Sequence, residues 1–271
     1  MNSVREAISE MKGDYINGSS WYYYTISNLL SRVEEEGLNL LLRELSSIRP
    51  GMGSINNIEE AVLKNRVITV SRARELGRKL LDYREGALTK LRKQEKKIKI
   101  GKVMTISFSN SVKSLIEESP PEELVLLESR PGNESRTAAE QYEEYSDVTV
   151  IPDSAVLSRM RYVDKVLIGF DGLYSDGTLT NKIGTYPLCL SAREAGVEVI
   201  AVGESFKSTN HDAGPIPERD LKTHGRHSRI PLLEVVPLIY VDTLVTDIGQ
   251  FRKPDSGTVD KLHRTFIDGI S

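Results

Sequence analysis

Apolar residues in roughly the first third of the chain recur at three- and four-residue intervals, the spacing of one face of an α-helix. "ISNLLSRVEEEGLNLLLRELSSI" carries its leucines this way, with Gly37 expected to break the run. "SRARELGRKLLDYREGALTKLRKQEKKIK" continues in the same style and is rich in strong helix formers. Between them, "RPGMGSINN" reads as a loop through Pro50, Gly51 and Gly53, after which "SINNIEEAVL" resumes as helix. No segment before about residue 100 reads as a strand.

After that point the pattern changes. Short β-rich runs ("GKVMTIS", "EELVLLES", "DVTVIP", "DKVLIGF", "VEVIAVG", "LVTDIG") alternate with helical stretches such as "NSVKSLIEE", "SRTAAEQYEEY" and "SAVLSRM". "TVDKLHRTFIDGI" reads as a closing helix. Strands alternating with helices of these lengths predict a doubly wound parallel sheet. The expected fold class is α/β: a helical N-terminal domain over residues 1–98 and a Rossmann-like C-terminal domain over residues 99–271.

Composition narrows the picture. With 39% hydrophobic and 28% charged residues, the chain of 271 residues fits a globular protein with a sizeable core. No apolar run approaches the ~20 residues that span a bilayer, and "MNSVREAISEMKGD" does not read as a secretory signal. One cysteine, Cys189, excludes an internal disulfide and a cysteine-based zinc site, and fits a cytoplasmic, reducing environment. A formal net charge of -3 gives no global pull toward nucleic acid.

Ligands of open α/β sheets bind beyond the carboxyl ends of the strands. The residues expected there are Ser107, Ser109, Glu128 to Arg130, Asp153, Asp171, Glu204 and Lys207, a set that mixes acids with cations, although strand ends commonly carry polar residues. The stretch "GFDGLYSDGTLTNKIGTY" is the richest. Asp176-Gly177 reads as a hairpin turn whose two positions both want positive φ. Asn181 is expected to cap a helix formed by "KIGTYPLCLSAREA", which puts Lys182 in its first turn. A cation there opposes the helix dipole unless an anion also sits at the N-terminus. Asp171, leaving an apolar strand, is expected to have a raised pKa suited to proton transfer.

Other features have plainer readings. Cys189 lies on an apolar helix face with Leu188 and Leu190 and reads as core. His211, His224, His227 and His263 lack metal-ligand spacing, so neither a metal nor a cofactor is expected, and "THGRHSR" reads as a mobile polar loop. "KLRKQEKKIK" reads as a solvated helix face, and "SWYYYT" as core or subunit contact.

In combination, "GFDG", "NKIGTY" and "VIAVGESFK", with "LLESRPGNES", "VTVIPDSAV" and "LVTDIG" in the expected order and "IRPGMGSI" as an N-terminal loop, resemble the translation initiation factor 2B alpha, beta and delta subunit family. That family includes 5-methylthioribose-1-phosphate isomerase and archaeal ribose-1,5-bisphosphate isomerase. The resemblance implies a helical domain followed by a Rossmann-like domain, a homodimer or higher oligomer, and a translation initiation factor as candidate partner. It implies that Asp171 takes the place of the catalytic aspartate and that Asn181, Lys182, Arg130 and Arg49, the last in the "IRPGMGSI" loop, contact a phosphorylated ligand. Two positions depart from the family. Ser107 stands where the isomerases carry their acid/base cysteine, and Ser135 where glycine is usual, with the prospect of a narrower pocket. Binding of a phosphorylated sugar or nucleotide without catalysis is the first expectation. Isomerisation of a phosphorylated pentose is the second, and a purely structural subunit the third.

Overall fold

Helical spacing in the first third resolves into five helices: α1 (Val4–Gly13), α2 (Ser19–Arg32), α3 (Glu35–Glu44), α4 (Gly53–Lys64) and α5 (Val70–Glu95). They are seen in a computed structural model that describes residues 3–271 except Tyr15, Asn133 and His224. The Ser3 hydroxyl and Glu6 carboxylate form a reciprocal capping box on α1, and Thr69 caps the 26-residue α5. The break expected at Gly37 falls earlier, at Val33 and Glu34, and Gly37 lies inside α3. A Cβ at Gly37 would run into Val4, so its role is close packing of α1 on α3 rather than helix termination. Two of the three tyrosines of "SWYYYT" are core: Tyr22 and Tyr23 are fully buried, Tyr23 stacks on Phe206 with ring centroids 4.0 Å apart, and Tyr24 is exposed.

The alternating region builds a seven-stranded sheet. Its strands are β1 (Lys102–Thr105), β2 (Glu123–Leu127), β3 (Val148–Ile151), β4 (Lys165–Ile168), β7 (Glu198–Val202), β12 (Thr243–Thr246) and β13 (Gly249–Arg252). The order is β13-β12-β7-β4-β1-β2-β3, parallel throughout except for β13. Successive side chains face opposite ways, so each strand feeds two cores. Met104, Val166, Ile168 and Ala201 pack with Leu188, Cys189 and Leu262, from helices α9 (Thr185–Ala195) and α10 (Ser256–Gly269). Val103, Leu167, Ile200 and Val202 pack on the other face with Val112 and Leu115 of α6 (Asn110–Glu118) and Tyr142 of α7 (Glu134–Tyr142). A short α8 (Val156–Met160) precedes β4. From β1 the chain moves outward through β2 and β3, then returns to place β4 on the other side of β1. The carboxyl ends of β1 and β4 therefore flank a topological switch point, where such sheets open a crevice.

A second sheet, ordered β11-β6-β5-β8, stands over that crevice. It consists of β5 (Gly172–Tyr174), β6 (Thr178–Lys182), β8 (Ser208–Thr209) and β11 (Leu233–Pro237). The β5–β6 hairpin turns through residues 175–177, and only Gly177 of the expected Asp-Gly pair has a positive φ, at 79°. This is the geometry of a three-residue loop with glycine in the left-handed position. The "THGRHSR" segment straddles a hairpin of β9 (Glu218–Thr223) and β10 (Arg226–Pro231) rather than forming a loop; His224 lies outside the described residues.

Candidate functional site

Asn181 and Lys182 are the last two residues of β6, not the start of a helix. Helix α9 begins at Thr185 behind Gly184, whose φ of 98° makes the corner. The Asn181 amide donates to the Thr185 hydroxyl at 3.0 Å, and that hydroxyl donates to the Lys182 carbonyl at 2.6 Å. The anion at the helix N-terminus is internal. Glu234, from β11, accepts from the Tyr186 N–H at 2.8 Å and takes further bonds from the Gly184 and Thr185 backbone. Burial still pushes its carboxyl above the usual range, against the pull of those donors.

The crevice at the ends of β1 and β4 is lined by Asn17 to Ser20, Arg49, Ser107 to Asn110, Glu134, Asp171, Asn181, Lys182 and Lys207, with a free volume of about 70 Å³. It thus brings together five of the six residues that sequence singled out: Arg49, Ser107, Asp171, Asn181 and Lys182. Arg130 is the exception. Its side chain is exposed, with Nε 3.8 Å from Glu128, and it does not line the crevice. Asp153 accounts for this, because its two carboxylate oxygens take the Ser129 and Arg130 N–H groups at 2.8 Å each and clamp the loop backbone. Ser135 is buried in the first turn of α7 and is not a lining residue either.

Asp171 is half-buried and held from three sides. Its Oδ1 accepts from the Ser19 N–H at 2.8 Å, its carbonyl from the Gly53 N–H at 3.0 Å, and its own N–H donates to the Thr180 carbonyl at 2.7 Å. Burial raises its pKa, and Lys207, the Ser19 N–H, Arg49 and Lys182 pull part of that shift back. Lys207 and Glu204 form a buried pair at 2.7 Å, with the Ser20 and Ser111 hydroxyls donating to Glu204 at 3.2 Å. Burial works to raise Glu204, but Lys207 and these donors outweigh it, so its carboxyl sits below the usual range. Arg49 is buried and donates from Nη1 to the Asp14 carbonyl at 3.0 Å. Lys182 donates from Nζ to Glu134 Oε1 at 2.5 Å.

Ser107 follows β1 with φ of 65°, and its N–H donates to the Ser129 hydroxyl at 2.7 Å. No histidine is among the lining residues described. Ser109 caps α6, and the buried His263 sits between the Ser208 carbonyl and Glu60, in neither case as part of a nucleophile–base pair. Cys189 is core, and burial pushes its thiol up to about 12. Among the described residues no group of three or more His, Cys, Asp or Glu could hold a metal ion, and no helix is long and apolar enough to cross a membrane.

A larger groove of about 810 Å³ lies at the opposite ends of β7 and β12. Its acids are already engaged: Glu198 by Lys165 and Arg252 at 2.6 Å each, Asp242 by Lys253, and Asp255 as the cap of α10, accepting from the Thr258 N–H at 2.9 Å. The concentration of buried charge is at the crevice. Among the residues there that sequence pattern missed are Asn17 to Ser20, leading into α2, Asn110 and Glu134. Their proximity is created by tertiary structure, and of these only Glu134 lies in a block that carries the resemblance, "LLESRPGNES".

Arg49, Lys182 and Lys207 around a carboxyl of raised pKa make a site suited to an anionic ligand and to proton exchange with it. The chain is similar to known proteins over most of its length. The chain is 28% identical to the ribose 1,5-bisphosphate isomerase of Archaeoglobus fulgidus, over 92% of this chain and 90% of that protein. Its fold is similar to that of the translation initiation factor eIF-2B of Pyrococcus horikoshii OT3, with a TM-score of 0.83, 25% identity, and coverage of 93% of this chain and 97% of that one. It is also similar to the 5-methylthioribose 1-phosphate isomerase of the same organism, with a TM-score of 0.72, 20% identity, and coverage of 97% and 88%. The model of the initiation factor 2 subunit family matches residues 25–253. Most of the chain, including every lining residue of the crevice from Arg49 onward, falls within that match, and the chain belongs to the initiation factor 2 subunit family.

Proposed function

We propose that this protein binds a phosphorylated sugar or nucleotide in the crevice between β1 and β4 and does not catalyse its isomerisation. One observation carries the second half of this reading: the residue facing Asp171's cleft from the end of β1 is Ser107, not a thiol. A serine hydroxyl exchanges protons near neutrality only beside a strong base, and none of the described lining residues is a histidine. The cations Arg49, Lys182 and Lys207 support the first half, as donors to a phosphate.

A second reading, isomerisation of a phosphorylated pentose, is favoured by Asp171. Its raised pKa and fixed position suit a group that donates and recovers a proton. The test is a panel of ribose 1,5-bisphosphate, 5-methylthioribose 1-phosphate, ribose 5-phosphate and AMP, measured for binding by calorimetry and for turnover by NMR. Binding without turnover supports the first reading, rapid turnover promotes the second, and no binding removes both.

The same family resemblance supports assembly as a homodimer or higher oligomer, with a translation initiation factor as candidate partner and the cytoplasm as its setting. Sedimentation at micromolar concentration tests the assembly, and a monomer alone would refute it.

A further inference from the structure

The Lys182–Glu134 pair is almost wholly enclosed, with side-chain exposures of 8% and 11%. Glu134 Oε1 takes the ammonium at 2.5 Å, while Oε2 is buried with no hydrogen-bond partner among the described residues. A carboxylate that uses one oxygen and strands the other is poorly housed for a purely structural pair, because leaving a buried acceptor unmade is costly. Its position is also obstructive. Glu134 lines the same crevice as Asp171 and Lys182, and the remaining free volume of about 70 Å³ has room for about two water molecules. A phosphate that is to pair with Lys182 has to take its ammonium from Glu134.

Charge points to which group moves. Arg49, Lys182 and Lys207 are matched in number by Glu134, Asp171 and Glu204, so an arriving phosphate meets a site already neutralised from within. Asp171 is held by the Ser19 N–H, and Glu204 by Lys207 and two hydroxyls. Glu134 differs from both: its one tie is to Lys182, a cation a phosphate would take, and its second oxygen has no partner among the described residues. Gly132 makes its present position possible, since a Cβ there would collide with the Glu134 carboxylate.

Resting on the reading of the crevice as a phosphate-binding site, we propose that Glu134 is a built-in counter-anion: it occupies Lys182 in the empty protein and must swing aside for a phosphorylated ligand to bind. Ligand affinity is then set by the fraction of molecules in which Lys182 has been released.

Calorimetric titration of inorganic phosphate and of ribose 5-phosphate tests this with wild type, Glu134→Gln, Gly132→Ala and Glu134→Gln combined with Lys182→Met. If Lys182 is released in a tenth of wild-type molecules or fewer, Glu134→Gln binds about tenfold tighter or better. Gly132→Ala, which dislodges the carboxylate without removing it, shifts affinity in the same direction, and adding Lys182→Met cancels the gain. Gly132→Ala keeps the test alive should Glu134→Gln fold poorly. Wild-type binding that stays equal or weakens in both single variants overturns the counter-anion and leaves the phosphate site standing. No binding by wild type or either single variant overturns both.

Discussion

The Ser107 N–H donates to the Ser129 hydroxyl at 2.7 Å, joining two non-glycine residues that each hold φ at 65°, at the carboxyl ends of the neighbouring strands β1 and β2. L-residues adopt this conformation at a cost of roughly 1–2 kcal/mol, so the contact holds together a strained pair. The strain lies at the mouth of the crevice, where it fixes the direction in which Ser107 leaves the sheet.

Ser129→Ala is expected to destabilise the protein by about 1–3 kcal/mol, because it leaves the Ser107 N–H without its acceptor. Ser107→Gly keeps that N–H and suits the positive φ, so it should be neutral or stabilising by about 1 kcal/mol. Urea unfolding of both variants checks the pair. Equal destabilisation by the two would show that the Ser107 side chain, not the backbone contact, matters.

Glu95 gives the fold a pH dependence of its own. It is fully enclosed near the end of α5, with the Ser114 hydroxyl donating to Oε2 at 2.7 Å and Oε1 without a partner among the described residues. Burial is the main cause that pushes its carboxyl up to about 7. The folded state therefore binds more protons than the unfolded chain between about pH 4.5 and pH 7, and stability falls as pH rises through that window. The loss is at most about 3 kcal/mol. Glu95→Gln should be the more stable form at pH 8 and should flatten this part of the profile in thermal melts from pH 5 to 8. An unchanged slope would show that Glu95 is charged in the fold.

Glu204, buried against Lys207, responds to pH in the opposite direction. Glu204 is depressed in the folded state, so the stability it contributes is present above the ordinary carboxylate range and is lost as pH falls through its lowered folded value. Lys207→Met should cost about 3–5 kcal/mol at pH 7, because it strands a buried carboxylate. Lys207→Met combined with Glu204→Gln should recover most of that loss, and denaturant midpoints of the single and double variants decide it.

The parallel strands were legible because each is a short apolar run with polar ends, as in "DKVLIGF" around β4. Arg49, Asp171 and Lys182 were likewise expected together, Asp171 by its position after that run and all three by family resemblance, and they line one crevice. Three features were not legible, for separate reasons. In "NKIGTYPLCL" a strand runs into a helix through one left-handed glycine, and apolar spacing carried the helix back across Gly184 onto Asn181 and Lys182. The β9–β10 hairpin is exposed over most of its length, as at His227 and Ser228, so it lacks the in-out alternation by which strands are recognised. Arg130 went astray because Asp153, from the next strand–helix unit, holds its backbone while its side chain turns outward.

Ser107 and Asp171 divide the two functional readings most sharply. Both line the crevice, but only Asp171 has an environment that tunes it for proton transfer, through burial opposed by Lys207, the Ser19 N–H and Arg49. Each positioned acid or base typically contributes ~100- to 10,000-fold to a proton-transfer reaction. The unmodified protein should therefore show negligible turnover of ribose 1,5-bisphosphate and 5-methylthioribose 1-phosphate while still binding a phosphorylated ligand. Ser107→Cys adds a thiol whose ordinary pKa, about 8.5, lies within reach of neutrality, and the neighbouring cations favour its thiolate. Any residual isomerisation should rise by about 100-fold or more in this variant. Asp171→Asn in either background should abolish it while preserving the Ser19 contact through the amide oxygen. Single-turnover assays followed by NMR separate chemistry from binding. Robust turnover by the wild type, undiminished in Ser107→Ala, would show that another group carries the proton, and would assign the crevice to catalysis.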